Sequence, residues 1–68
     1  MKISARNTLK GRIVEITKGA TTSHVRIDIG GATVTASITN EAVDELQLAV
    51  GRQAYAVIKV SDVMVGVE

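Results

Sequence analysis

Residues 24–38 read HVRIDIGGATVTASI, which is two alternating runs joined by a pair of glycines. Apolar residues alternate with polar or charged ones from Val25 in the first run and from Ala32 in the second. A period of two is typical of strands that are buried on one face only. Gly30 and Gly31 can both adopt the positive φ angles that a tight two-residue turn requires. The stretch therefore predicts a β-hairpin.

The residues before the hairpin predict one further strand, over residues 9–17. Its alternation changes phase between Ile13 and Val14. Such a change indicates a β-bulge, or a strand that crosses from one side of a barrel to the other. Residues 18–19 form the predicted turn into the hairpin.

The residues after the hairpin predict one short helix. Thr39 or Asn40 is a suitable N-cap, and acidic residues follow in the first turn. Val43 and Leu46 would lie on one helix face, and Gly51 is the residue predicted to end the segment.

Two more strands are predicted near the end of the chain, at residues 53–60 and 63–67. The first of them is apolar on nearly both faces, so it needs cover on both sides. The order β-β-β-α-β-β is that of the OB-fold, a five-stranded Greek-key barrel with one short helix. We therefore expect an all-β protein in which residues 1–68 form a single domain.

Composition excludes several classes of function. The chain has 68 residues, a formal net charge of +1, no cysteine and one histidine, His24. It can therefore form neither a disulfide, a thiolate metal site, a multi-histidine zinc site nor a Ser-His-Asp triad. No apolar run approaches the roughly 20 residues that span a bilayer, and no secretory signal is recognisable, so we expect a cytoplasmic protein with no membrane partner.

The apolar content predicts an oligomer. The chain is 46% hydrophobic, yet a domain of this size buries only about 60% of the surface that its unfolded chain exposes. Small proteins compensate with disulfides, metals or oligomerisation, and the first two are excluded here.

Four polar clusters are candidate binding sites, and each has a purely structural alternative. One cluster precedes the first strand, one lies at residues 18–22, one joins the third strand to the helix, and one ends the fourth strand. They could instead be a frayed terminus, a plain hairpin turn, helix caps and a solvated strand edge. Their hydroxyls, cations and backbone N–H groups only donate hydrogen bonds to an anion, which suits a small tetrahedral dianion. The candidate residues are Ser4 and Arg6, Thr39 and Asn40, and Lys59 and Ser61.

Three segments closely resemble those of the molbindins, or Mop proteins, which are small bacterial molybdate-binding proteins. The segments are SARN at residues 4–7, Ile38–Thr39, and AVIK at residues 56–59. The resemblance covers essentially the whole chain and extends to the sensing domain of molybdate-responsive regulators. It implies a homohexamer, built as a trimer of dimers, that binds molybdate or tungstate at its subunit interfaces.

The resemblance also implies which residues bind and how. Four residues correspond to ligands from one subunit, and Thr39 with the backbone N–H groups from Asn40 onward corresponds to the contribution of another. The anion would be held through its oxygens, without direct coordination of the metal, an organic cofactor or an enzymatic step. The implied role is intracellular molybdenum storage, buffering or delivery. The four residues of the first subunit are Ser4, Arg6, Lys59 and Ser61.

Two other functions stay open on the sequence alone. One is an OB-fold interaction module that binds protein or single-stranded nucleic acid, and the other is a structural oligomer without a ligand. Nucleic acid is disfavoured because such sites stack bases on aromatic residues along a basic groove. Tyr55 is the only aromatic residue, and the net charge is only +1.

Overall fold

A computed structural model of the chain describes residues 1–68 as one antiparallel sheet with a short helix. The strands lie in the order β3-β2-β1-β4. The one α-helix is six residues long, and no helix here has the length and apolarity to cross a membrane. The elements are β1 Asn7–Lys18, β2 Thr22–Asp28, β3 Thr33–Thr39, α1 Asn40–Glu45, β4 Gln53–Ile58 and a 3₁₀ turn at Val60–Asp62.

The predicted hairpin is confirmed in β2 and β3. The two strands pair in register from Thr22 opposite Thr39 to Asp28 opposite Thr33. The backbone N–H of Ile29 donates to the carbonyl of Ala32 at 2.9 Å and closes the turn. Gly30 and Gly31 have φ angles of 91° and 96°, which a residue with a side chain adopts only under strain.

The predicted bulge in β1 is also confirmed. The register of β1 against β2 shifts between Ile13 and Glu15. Residues 7–12 pair with β4 and residues 12–18 pair with β2, so the bulge lies within the ladder to β2. Ile13 is buried and Val14 is 46% exposed, as the phase change requires. The bulge lets apolar residues on both sides of the phase change face the core.

The core is small. Five hydrophobic residues are buried, and they come from β1, β2, α1 and β4. Half-buried residues such as Leu9, Val34 and Ile38 pack around them. Many other apolar side chains remain exposed, among them Val57 on the outer face of β4. The five buried residues are Ile13, Val25, Ile27, Val43 and Ala56.

Helix α1 begins where the sequence predicts and ends earlier. The hydroxyl oxygen of Thr39 accepts from the N–H of Ala42 at 3.1 Å, which is an N-cap. The helix ends at Glu45 through a Schellman motif, in which the N–H of Leu48 donates to the carbonyl of Val43. The left-handed residue after the helix is Gln47, with φ 54°. The assignment of Gly51 to this position is therefore wrong.

The predicted fifth strand is absent, although the all-β class and the element order up to the fourth strand are confirmed. β4 ends at Ile58 rather than at residue 60, and a 3₁₀ turn follows at Val60–Asp62. The turn is closed by the N–H of Asp62 donating to the carbonyl of Lys59 at 2.9 Å. Residues 63–67 then have no strand partner. A strand needs a neighbouring edge to bond to, and residues 63–67 form no ladder with either outer strand of the sheet, β3 or β4.

A buried hydrogen-bond network joins α1 to the start of β2. The hydroxyl of Ser23, which is fully buried, donates to Oδ1 of Asn40 at 2.6 Å. Nδ2 of Asn40 donates to the carbonyl of Gly19 at 3.0 Å, and its backbone N–H donates to the carbonyl of Thr21 at 2.9 Å. Asn40 therefore fixes the helix to the β1–β2 turn.

We expect Ser23→Ala to lower the free energy of unfolding by about 1–2 kcal/mol, because Oδ1 of Asn40 loses its donor. Ser37→Ala is the matched control, since Ser37 is also central in a strand but exposed. Urea unfolding at one fixed protein concentration measures both. Equal effects of the two substitutions would contradict the structural role of this network.

Candidate functional site

An open depression of about 660 Å³ lies at one end of the sheet, between the start of β1 and the end of β4. It brings together four of the six predicted site residues. Its hydroxyls and cations come from two segments that are more than 50 positions apart in the chain. The lining residues are Ser4, Ala5, Arg6, Val57, Lys59, Val60, Ser61 and Asp62.

The pairing of β1 with β4 creates this juxtaposition. Asn7 pairs with Ile58 at the end of the antiparallel ladder. The residues before β1 and those after β4 therefore emerge side by side. The 3₁₀ turn then curls residues 60–62 over the same place.

The depression carries more positive than negative charge. Neither Arg6 nor Lys59 forms a salt bridge, because the two ion pairs of the chain lie elsewhere, at Lys18–Asp44 and Arg26–Glu15. Asp62 also lines the depression. The residues around Arg6 in the sequence contain no carboxylate, and the turn after β4 supplies one from a distant part of the chain. Two cations and two hydroxyls still face one carboxylate.

Thr39 and Asn40 lie at the other end of the molecule. Thr39 pairs with Thr22 at the start of β2, beside the end of β1. The depression lies at the start of β1, and this strand has 12 residues. At about 3.3 Å per residue, a strand of this length separates the two groups by much more than the width of a small anion. One small anion cannot contact both groups of residues in a single chain.

Most of the polar groups at the start of α1 already form hydrogen bonds within the chain. The backbone N–H and both side-chain polar atoms of Asn40 bond to β2 and to the preceding turn, so Asn40 has a structural role here. The N–H of Ala42 is taken by the Thr39 hydroxyl oxygen. The Thr39 hydroxyl accepts in that bond, which leaves its own proton to donate outward. Thr39 is therefore both a helix cap and an available donor.

Other cations lie outside the depression. Arg52 donates from Nη1 to the carbonyl of Gln47 at 2.7 Å and to that of Leu46 at 3.2 Å. It therefore caps the C-terminus of α1. Lys10 and Arg12 line a separate open cleft of about 470 Å³ beside the hairpin turn. No local sequence signal distinguishes these roles.

The chain holds no group of three or more His, Cys, Asp or Glu side chains that could bind a metal ion directly. The depression offers hydroxyl donors and two cations, which are groups that can bind an anion by hydrogen bonds and charge.

Comparison with known proteins identifies clear relatives. The TOBE domain family matches residues 3–65. A probable molybdenum-pterin-binding protein of Haemophilus influenzae is 56% identical over 69 residues and is covered completely, as is this chain. The structure of MopII from Clostridium pasteurianum superposes with a TM-score of 0.90 at 42% identity, over 97% of this chain and 100% of that one.

A third relative is described with its ligand. The structure of the cytoplasmic molybdate-binding protein ModG with molybdate bound gives a TM-score of 0.93 at 42% identity. The match covers 100% of this chain and 49% of the ModG chain.

The capping hydrogen bond of Thr39 predicts that this residue stabilises the fold even when no ligand is bound. We expect Thr39→Val to lower the free energy of unfolding by about 1 kcal/mol, since the cap of α1 is lost. Thr39→Ser keeps the hydroxyl and is the matched control, with a smaller effect. Urea unfolding without added oxyanion checks this, and a Val variant as stable as the Ser variant would contradict the capping role.

Proposed function

Because this chain belongs to the TOBE domain family, which it matches over residues 3–65, we propose that it binds molybdate or tungstate. The observation that carries this proposal is the depression in which Ser4, Arg6, Lys59 and Ser61 meet. Relatives that match the full length of the chain are described as molybdenum-pterin-binding and molybdate-binding proteins, which supports the same ligand class.

The donor set suits an intact oxyanion. Molybdate and tungstate are tetrahedral dianions whose oxygens only accept hydrogen bonds. Arg6 and Lys59 supply charge-assisted bonds, and the two serine hydroxyls supply neutral ones. The metal centre is then held through its oxygens, without direct coordination by the protein and without an organic cofactor.

The binding site is shared between subunits. Thr39 lies at the opposite end of β1 from the depression, so a site that uses both combines two chains. Asn40 contributes by holding Thr39 and α1 in place. We propose that the assembly is a homohexamer, a trimer of dimers, because the chain buries so little apolar surface by itself.

The role that follows is binding without a chemical step. Residues 1–68 act as a single domain that stores, buffers or delivers molybdenum inside the cell. The cytoplasmic location is supported by ModG, a relative described as a cytoplasmic molybdate-binding protein. The partners are the oxyanion and further copies of this chain, with no nucleic acid or membrane.

Removing either cation of the depression tests the site. We expect Arg6→Ala and Lys59→Ala each to weaken molybdate binding by about 10- to 150-fold, because each lost bond contributes about 1.5–3 kcal/mol. Titration calorimetry with sodium molybdate measures the loss.

The control for this test is Lys10→Ala, which removes one positive charge from an exposed position outside the depression. Arg52 is unsuitable because it caps α1. If Lys10→Ala weakens binding as much as the two site variants, the protein responds to net charge alone. If none of the three substitutions changes the affinity for molybdate, the assignment of the binding site to this depression is wrong.

Mixed assemblies test whether two chains share one site. We expect Thr39→Val and Lys59→Ala chains to bind weakly when each is assembled alone. When they are unfolded and refolded together, about a quarter of the shared sites combine an intact Thr39 with an intact Lys59, since each is contributed by one of two equally abundant chains. Calorimetry should recover that fraction of tight sites. A site built within one chain would recover none.

A further inference from the structure

We propose that Asp62 weakens the binding of a dianion in the depression and thereby sets the affinity of the site. Asp62 opposes the binding that the cations and hydroxyls of the depression favour. Because it concerns the oxyanion that Arg6 and Lys59 would bind, this role of Asp62 rests on the proposed function.

Asp62 is the only carboxylate that lines the depression. The 3₁₀ turn at Val60–Asp62 places it there, since the backbone N–H of Asp62 donates to the carbonyl of Lys59 at 2.9 Å. The same turn brings Lys59, Ser61 and Asp62 into one lining. That hydrogen bond uses only backbone atoms, so a different side chain at position 62 leaves it intact.

The carboxylate of Asp62 has no partner within the fold. It belongs to neither of the two ion pairs of the chain. Hydrogen bonds from the chain reach only two carboxylates, those of Glu15 and Asp28. Asp62 is also exposed, so it does not pack in the core. Its charge is therefore free to act on whatever the depression binds.

The charges of the depression compensate a dianion only in part. Arg6 and Lys59 carry two positive charges and Asp62 one negative charge, so the lining has a single net positive charge. Molybdate and tungstate carry two negative charges. Thr39, the donor that the proposed shared site takes from the second chain, is neutral, and Glu41 in the turn after it is acidic. The site therefore holds a dianion less tightly than its cations and hydroxyls alone would allow.

The lower affinity bears on the role of the protein. Buffering and delivery both require that the bound oxyanion be released, whereas permanent retention does not. Asp62 thereby favours buffering or delivery of molybdenum, because it weakens the bound state without removing any hydrogen-bond donor from the depression.

Two anions of the same shape but different charge test this role. Perrhenate is tetrahedral and close in size to tungstate, but it carries one negative charge. Because the Coulomb energy scales with the charge of the ligand, the fold-change for a dianion should be the square of that for a monoanion. We expect Asp62→Asn to tighten molybdate binding by about 3- to 10-fold and perrhenate binding by only about 2- to 3-fold. Titration calorimetry at about 0.1 M salt measures molybdate, and competition against molybdate measures perrhenate.

Asp28→Asn is the matched control, because it makes the same substitution at an exposed carboxylate outside the depression. Asp28 lies opposite Arg12, six positions after Arg6. At about 3.3 Å per residue this is about 20 Å, beyond the Debye length of about 10 Å at 0.1 M salt. Asp62→Ala removes the charge without adding an amide donor and should tighten molybdate binding as Asp62→Asn does. Asp62→Glu keeps the charge and should bind like the wild type.

The outcomes separate this role from the proposed function. An unchanged molybdate affinity in Asp62→Asn and Asp62→Ala, or an equal gain for Asp28→Asn, would overturn the role of Asp62 and leave molybdate binding in place. An equal gain for molybdate and perrhenate would also overturn it, since the effect would then not depend on the charge of the ligand. A wild type that does not bind molybdate would instead refute the proposed function, and the role of Asp62 with it.

Discussion

The pairing of β1 on both of its edges is the constraint on which the rest of the structure depends. A single strand of 12 residues bonds to β4 through its first half and to β2 through its second half. The bulge between Ile13 and Glu15 follows the last residue that pairs with β4 and resets the side-chain phase for the rest of the strand. The strand thereby fixes the distance between the two ends of the molecule and everything attached to them.

That distance separates the predicted donors into two groups. Arg6 and Lys59 meet at one end of β1, and Thr39 caps a helix at the other. The cap that Thr39 forms on α1 needs no ligand. In the proposed shared site both groups of donors would contact one oxyanion, so binding would use the surfaces through which a chain with so small a core associates. Apolar side chains such as Val65 stay exposed, and an apolar cavity lined by β3 and β4 stays open, because so small a chain cannot bury all of its apolar surface.

The sequence by itself determined the features that depend on neighbouring residues. The β2–β3 hairpin follows from a period of two and from glycines that tolerate positive φ. The bulge follows from a phase change visible at Ile13 and Val14, and the cap follows from a hydroxyl at Thr39 before a short amphipathic run. The residue types also specify an anion, because hydroxyls and cations donate hydrogen bonds to it. Each of these inferences needs only a few consecutive residues.

Only the tertiary structure decided which distant groups meet. The approach of Arg6 to Lys59 depends on the pairing of β1 with β4. The turn after β4 brings Asp62 beside the cations, and Arg52 reaches back to cap α1. Local patterns equally failed to show that α1 ends at Glu45 and that residues 63–67 pair with no strand. A strand-like run of residues predicts an extended chain, but it becomes a strand only where the rest of the fold supplies an edge to bond to.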